Sequence, residues 1–286
     1  MSSQTFLLGL GAQKCGTTWL YSYLSSSEGT DFGETKEYHI WDALEPGHDE
    51  AREHYFIEGG PGLRERFDLL RRRVRGLPRP KAAIRRELQA SPDAYFDYFA
   101  RLAKRSDARL TGDITPGYAS LSVETLVRIR DGIASRGVDT RVVYLMRDPV
   151  ERCISAARHL QRAGLCPDGH DLRAMPRDEA VRVYARTGHS SDRSRYDLTL
   201  QRIDEVFSPK VTYIGFYETM FSAECVAALS SFCDVPVRME LVDQKVNAAP
   251  DQAKIAPELR EELRAHFANV YDYCNERFVE TKEIWS

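Results

Sequence analysis

Three groups of residues in this 286-residue chain have types and spacings that can do chemistry. Lys14, Thr17 and Thr18 sit in and just after a loop bracketed by Gly11 and Gly16. Glycines let backbone N–H groups converge with no Cβ in the way, and the free N–H groups that open a helix attract anions. A lysine and two hydroxyls beside them make a site for phosphate or sulfate; an ordinary glycine-capped turn would show the same two glycines. Lys36, Glu37 and His39 crowd three titratable groups into four residues, flanked by Tyr38, Ile40 and Trp41. In an extended segment Glu37 and His39 point to one face. A carboxylate beside an imidazole, framed by aromatic bulk, can take a proton near neutral pH; a surface loop of mixed charge is the competing reading. Arg147 and Ser155 lie eight residues apart. An arginine ending a strand and a serine two turns into the next helix can both reach one phosphate. An arginine–aspartate pair that only holds the fold together would leave the same pattern.

The elements that must position these groups are short apolar strands alternating with longer helical segments. Phe6, Leu7, Leu8 and Leu10 form a run of strand length that leads through the glycine loop into a helix carrying Trp19, Leu20, Tyr23 and Leu24. Val142 to Met146 is a second such strand, with Arg147 at its carboxyl end and Pro149 where a helix can begin. Leu110 to Tyr118 reads as a strand end running into a Pro/Gly turn, where Asp113 and Thr115 could line a pocket. Val211 to Phe216 is a further strand, and Glu218 after it reads as a structural anchor. The alternation predicts an α/β fold in three layers, a central and mostly parallel sheet flanked by helices. Ligands of such sheets bind at the carboxyl ends of the strands.

We expect a single domain over residues 1–286 with a helical insertion at about 43–110. Within it Leu63, Phe67, Leu70 and Val74 keep helical spacing until Gly76 and Pro78, and arginine is dense. Those arginines read either as a basic wall for an acidic substrate or as a solvated face whose stems lie over apolar neighbours. A second helix starts at Ser91-Pro92-Asp93 and buries Tyr95, Tyr98, Phe99 and Leu102. Residues 161–193, polar and turn-rich, read as a mobile or substrate-facing excursion rather than a core element. Lys245 to Pro250 reads as a loop, and the last helix, after Pro257, buries Leu259 through Cys274.

The balance of 40 basic and 43 acidic residues, net −3, gives no case for nucleic acid or an anionic surface acting on the chain as a whole. No apolar run has the length of a membrane span, and the N-terminal run lacks a basic region before it and feeds the glycine loop, unlike a signal peptide. Six cysteines without CxxC pairs suggest reduced thiols and a cytoplasmic protein, with no metal site. The sequence says nothing of oligomeric state.

The glycine loop is not a Walker A sequence, which needs lysine directly after its second glycine. Thr17 stands there, and Lys14 lies two positions before Gly16. Taken in order, KCGTTW (Lys14 to Trp19), RDPVERCIS (Arg147 to Ser155) and Tyr217-Glu218 resemble the PAPS-dependent sulfotransferase family. KEYHIWD, Lys36 to Asp42, is similar to the KExHFFD segment of its carbohydrate, Golgi-type branch and bacterial relatives. The resemblance implies a P-loop-like fold, with PAPS as sulfuryl donor and PAP as product. It implies a 5′-phosphosulfate loop of Lys14, Cys15, Gly16, Thr17 and Thr18, with Trp19 packed on adenine and Arg147 and Ser155 on the 3′-phosphate. Glu37 would be the catalytic base, with Lys14 and His39 as further catalytic residues. The acceptor would be a hydroxyl on a saccharide or other small molecule. One departure stands out: GDITPGY resembles the family's EKS-type segment, but Ile114 replaces its lysine, so that lysine's substrate contacts do not carry over. A P-loop kinase or NTPase, which needs a GK[ST] turn and an acidic strand end for magnesium, and a non-catalytic nucleotide sensor are the rival readings.

Overall fold

The apolar run around Leu8 is the central strand β1, Thr5–Gly11, buried along its whole length. The structure is a computed structural model and describes residues 4–105, 108–242 and 255–286; the loop expected over Lys245 to Pro250 lies outside them. Four more strands, β2 (Thr30–Asp31), β3 (Leu110–Ile114), β4 (Asp139–Met146) and β5 (Thr212–Phe216), complete a sheet in the order β2-β3-β1-β4-β5. All pairings are parallel, with Leu8 opposite both Asp113 and Val142. Parallel pairing needs crossovers that cover both faces, which explains the apolar runs without polar alternation. At Gly112 the strands approach so closely that a Cβ would lie 2.3 Å from the Leu7 carbonyl oxygen.

After β1 the chain moves to one side of it, through β2 and β3, and then crosses to β4 and β5 on the other. The strand order therefore reverses at β1, and the crevice at its carboxyl end is where open sheets of this kind take their ligands. The glycine loop, Thr115 and Arg147 all emerge there.

Two of the helices start at a side-chain cap followed by proline. Ser91 accepts from the Ala94 amide ahead of the helix Pro92–Ala103, and Asp148 accepts from the Glu151 amide, 2.8 Å, ahead of Pro149–Ala163. The helix Pro92–Ala103 presses Tyr95 and Phe99 edge-on against Phe6 of β1. Between β2 and β3 the chain also forms the helices Trp41–Leu44, Asp49–Tyr55, Leu63–Val74 and Lys81–Gln89.

Three local expectations need correction. The two-residue strand β2 was not anticipated, being too short to carry a periodicity. Residues 161–193 include core: the helices Arg177–Ala185 and Gly188–Ser194 bury Val181, Tyr184 and Ser190, around a fully buried Arg152 whose guanidinium donates to Tyr184 and Ser190. The C-terminal helix is two, Pro257–His266 and Ala268–Arg277, broken at Phe267.

Candidate active site

The glycine loop closes on itself before it opens a helix. The Ala12 amide donates to the Leu145 carbonyl, 2.7 Å, and the Cys15 amide to the Ala12 carbonyl, 3.3 Å. Lys14 takes a positive φ of 70°, and Gly16 one of 92°. A side chain at Gly16 would also have to displace the Met220 sulfur, 2.6 Å away, so the positive φ is the stronger reason for glycine. The helix Thr17–Ser25 then begins with no side chain capping it, and its first bond runs from the Leu20 amide to the Gly16 carbonyl at 3.0 Å. The amides before Leu20 are thus not used by the helix, and they face the end where a helix dipole favours negative charge.

Cations converge on that end. Burial lowers the Lys14 pKa, and the nearby charges of Arg162, Arg147 and Lys36 lower it further. Like charges crowded together in a crevice are what an anion relieves. The Arg147 guanidinium lies over the Tyr217 ring at 4.5 Å and 3.5 Å from Glu151, while the Tyr196 hydroxyl donates to its carbonyl at 3.0 Å. Ser155 lies on the helix that follows, half-buried. Behind this stretch the Glu218 carboxylate accepts from the Asp148 amide, 2.9 Å, and from the Trp285 indole, 3.1 Å, a structural anchor.

Two residues of this cluster escaped the sequence reading. His159 is lowered in pKa by burial, then by Lys14 and Arg162, with Glu37 acting oppositely, so it feels both the loop and the acidic segment. With Ser155 and Arg162 it follows the i, i+4, i+7 spacing of one helix face, and that spacing was the available signal.

The second segment meets the first through Lys36. Its ammonium donates to Thr18 Oγ1 at 2.7 Å and to Glu37 Oε1 at 2.6 Å. Glu37 Oε2 lies 3.4 Å from His39 Nε2, and His39 Nδ1 lies 2.7 Å from Asp42 Oδ2. His39 is not extended as expected but turns through a positive φ of 55°, which brings Asp42 to its far side. Burial works to raise the Glu37 pKa, yet the hydrogen bond from His39 and the Lys36 charge outweigh it and hold the carboxyl down at about 2. Burial works to lower His39, but Asp42 and Glu37 raise it above its ordinary value. A ring protonated between two carboxylates donates at both nitrogens.

The backbone of this segment is held from below. The Tyr38 amide donates to Thr115 Oγ1, 3.0 Å, and the Ile40 amide to the Tyr118 hydroxyl, 3.1 Å. Both hydroxyls donate in turn to Asp113, at 2.6 and 2.8 Å, and Tyr95 adds a third at 3.1 Å. Asp113 and Thr115 are fully buried, and they carry the segment. Burial raises Asp113 to about 6 despite these three donors. From the other side Tyr55 stacks on His39, centroids 3.7 Å apart, Arg85 lies 4.7 Å over Tyr55, and its Nε donates to the Tyr38 carbonyl at 2.9 Å.

Two expected donor contacts do not find an open side chain. Cys15 is buried, its sulfur 3.7 Å from the Tyr196 hydroxyl, its thiol pushed up to about 12 and its amide used inside the loop. Trp19 is buried, stacked on Tyr23 at 5.0 Å and T-shaped to Phe221, so one ring face is taken by Tyr23. Lys14, Gly16, Thr17, Thr18, Arg147 and Ser155 remain as the candidate donor side, and Glu37 and His39 as the acid–base side. A cavity of about 1100 Å³ lies between the helices Leu63–Val74 and Lys81–Gln89, lined by Phe56, Ile57, Leu69 and Arg73, and reaches Gln89, whose amide lies 3.5 Å from the His39 carbonyl. Among the described residues, no three His, Cys, Asp or Glu side chains converge as metal ligands, and no helix is long and apolar enough to cross a membrane.

No family model matches the chain, and no curated protein does. Among solved structures it is similar to a sulfotransferase from Alicyclobacillus acidocaldarius, at 20% identity and a TM-score of 0.60, over 97% of this chain and 96% of that one. It is also similar to the sulfotransferase domain of the Synechococcus PCC 7002 olefin synthase, at 16% identity and a TM-score of 0.53, over 96% of this chain and 94% of that one. These likenesses show a shared fold.

Proposed function

We propose that this chain is a PAPS-dependent sulfotransferase that acts on a hydroxyl acceptor, saccharides being the first class to screen. The observation that carries the reading is Lys36, whose single ammonium joins an uncapped, cation-ringed helix start to the Glu37 carboxylate. An anion site alone would suit a nucleotide sensor; an anion site in contact with an acid–base pair suits group transfer.

The residues fit the donor's charges: free amides, two threonine hydroxyls and lysines for a 5′-phosphosulfate, Arg147 and Ser155 for a 3′-phosphate. The donor supplies the sulfuryl group, and PAP is its residue. Thr17, Thr18 and the first-turn amides hold the 5′ end, and the Lys14 ammonium donates toward the bridging oxygen as negative charge grows there. Arg147, braced by Tyr217 and Glu151, presents a planar fork for phosphate. Glu37 removes the proton of the acceptor hydroxyl. At rest it is a weak base, because Lys36 and His39 hold its pKa near 2. Turning of the Lys36 ammonium from Glu37 toward the negative charge of a bound donor would free Glu37 Oε1 and raise its basicity. His39, tied to Asp42, orients the other oxygen.

We read residues 1–286 as one catalytic domain in which the insertion at about 43–110 closes the acceptor side, since Tyr55 and Arg85 from it brace His39 and the Tyr38 carbonyl. The test is PAP release from PAPS across a panel of saccharide and phenolic acceptors, with Glu37→Gln as the control. Acceptor-dependent release that falls by about 10²- to 10⁴-fold in the variant, with PAP affinity kept, fits a general base. Unchanged turnover in Glu37→Gln would remove Glu37 from the chemistry.

A further inference from the structure

The helix Leu63–Val74 is amphipathic with its apolar side turned outward. Leu63, Phe67, Leu70 and Val74 fall within an arc of about 60°, yet they are 75%, 72%, 58% and 80% exposed. The opposite side, Glu65, Asp68, Leu69 and Arg72, is half-buried, and there Glu65 pairs with Arg86 and Asp68 with Arg72, 2.7 Å. Of this helix's acidic residues Glu65 pairs with the neighbouring helix and Asp68 with its own Arg72, while the apolar stripe is left exposed, Leu70 also lining the cavity beside Lys81–Gln89. Arg66 and Arg73 flank the stripe on one side, Arg64, Arg71 and Arg75 on the other, all exposed and without an ion pair among the described residues.

What covers the stripe must satisfy both its apolar centre and its basic rim. A second copy of the chain, meeting it across a two-fold axis, would set one ring of guanidiniums against the other. A polyanion such as nucleic acid would pair the arginines and leave four large apolar side chains in water. A bilayer with anionic headgroups satisfies both, since the stripe enters the acyl boundary and the arginine stems reach back to phosphates. We infer that the helix Leu63–Val74 is a docking surface for anionic lipid membranes, which holds the protein peripherally at the bilayer surface. The net charge of −3 does not oppose this, because exposed charges are felt only within about 10 Å at ordinary salt.

The experiment is co-sedimentation of the full chain with equimolar phosphatidylglycerol–phosphatidylcholine vesicles and with pure phosphatidylcholine. Partition onto the anionic vesicles alone, weakening as salt rises, is expected. Leu63→Ser/Phe67→Ser/Val74→Ser should abolish it, and Arg64→Glu/Arg71→Glu/Arg75→Glu should weaken it at least about a hundredfold, at about fivefold per arginine lost. Phe67→Trp in the otherwise intact chain gives a second readout, a blue shift of emission on anionic vesicles. Failure of the unaltered chain to partition would overturn the inference. So would full partition by the serine variant, which would leave the arginines alone responsible. Self-association of the unaltered chain, lost in the serine variant and without vesicle binding, would assign the stripe to a second copy instead.

Discussion

Lys36 Nζ lies 2.7 Å from Thr18 Oγ1, so the segment that carries Glu37 and His39 is pinned to the first turn of the helix that follows the glycine loop. One side chain therefore sets both the charge at the helix start and the basicity of Glu37, to which it also donates.

Lys36→Met separates these two effects through the pH profile. Removing the cation lets Glu37 rise from about 2 toward its ordinary range, so the acid limb of kcat moves up by about 1 to 2 pH units. Donor affinity falls as well, because a charge leaves the helix start. An acid limb that stays in place while donor affinity falls would confine Lys36 to donor binding.

Arg147→Ala tests the donor side. A charged hydrogen-bonding group is worth about 1.5–3 kcal/mol, so PAP binding should weaken about 10- to 100-fold, while adenosine 5′-phosphosulfate, which lacks the 3′-phosphate, weakens little. Equal weakening of both ligands puts the 3′-phosphate elsewhere.

Asp113→Asn tests the support beneath the acid–base segment. Its carboxylate collects three hydroxyls, two of which, Thr115 and Tyr118, in turn hold the Tyr38 and Ile40 amides. The variant should lose about 1–3 kcal/mol of stability and more kcat than PAP affinity. The pH dependence has a definite sign. The folded-state pKa of about 6 lies above the ordinary 3.8, so the protonated form favours folding. That contribution is full below about pH 4 and is lost as pH rises through about 6. Relative to Asp113→Asn, the unaltered chain should lose stability over this window, by an amount on the order of 3 kcal/mol. Melting curves of the two chains that run parallel from pH 4 to pH 6 contradict a raised Asp113.

Much of the frame was legible because it rests on local rules. The apolar run of β1, the glycines around Lys14 and the proline after Asp148 each mark an element by its own residues. What was not legible depends on distant contacts. Trp19 was expected on adenine, and its edge contact with Phe221, some two hundred residues on, leaves no trace in the local sequence. Polar composition hid the buried helices between residues 177 and 194, since their partner is itself polar, the buried Arg152. The reach of Tyr55 and Arg85 to the site crosses the insertion and leaves no local trace. The outward stripe of Leu63–Val74 has the periodicity of an ordinary core-facing helix; its other side meets the neighbouring helix, where Glu65 pairs with Arg86.

The central claim is a site for a 3′-phosphorylated adenine nucleotide that serves sulfuryl transfer. Calorimetric titration with PAP and with ADP, each with and without magnesium, addresses it most directly. The account predicts that PAP binds at least about tenfold more tightly than ADP, the extra phosphate contact being worth at least about 1.4 kcal/mol, with magnesium making no difference. Preference for ADP, strengthened by magnesium, would contradict it and return the chain to the nucleoside-triphosphate-hydrolysing class.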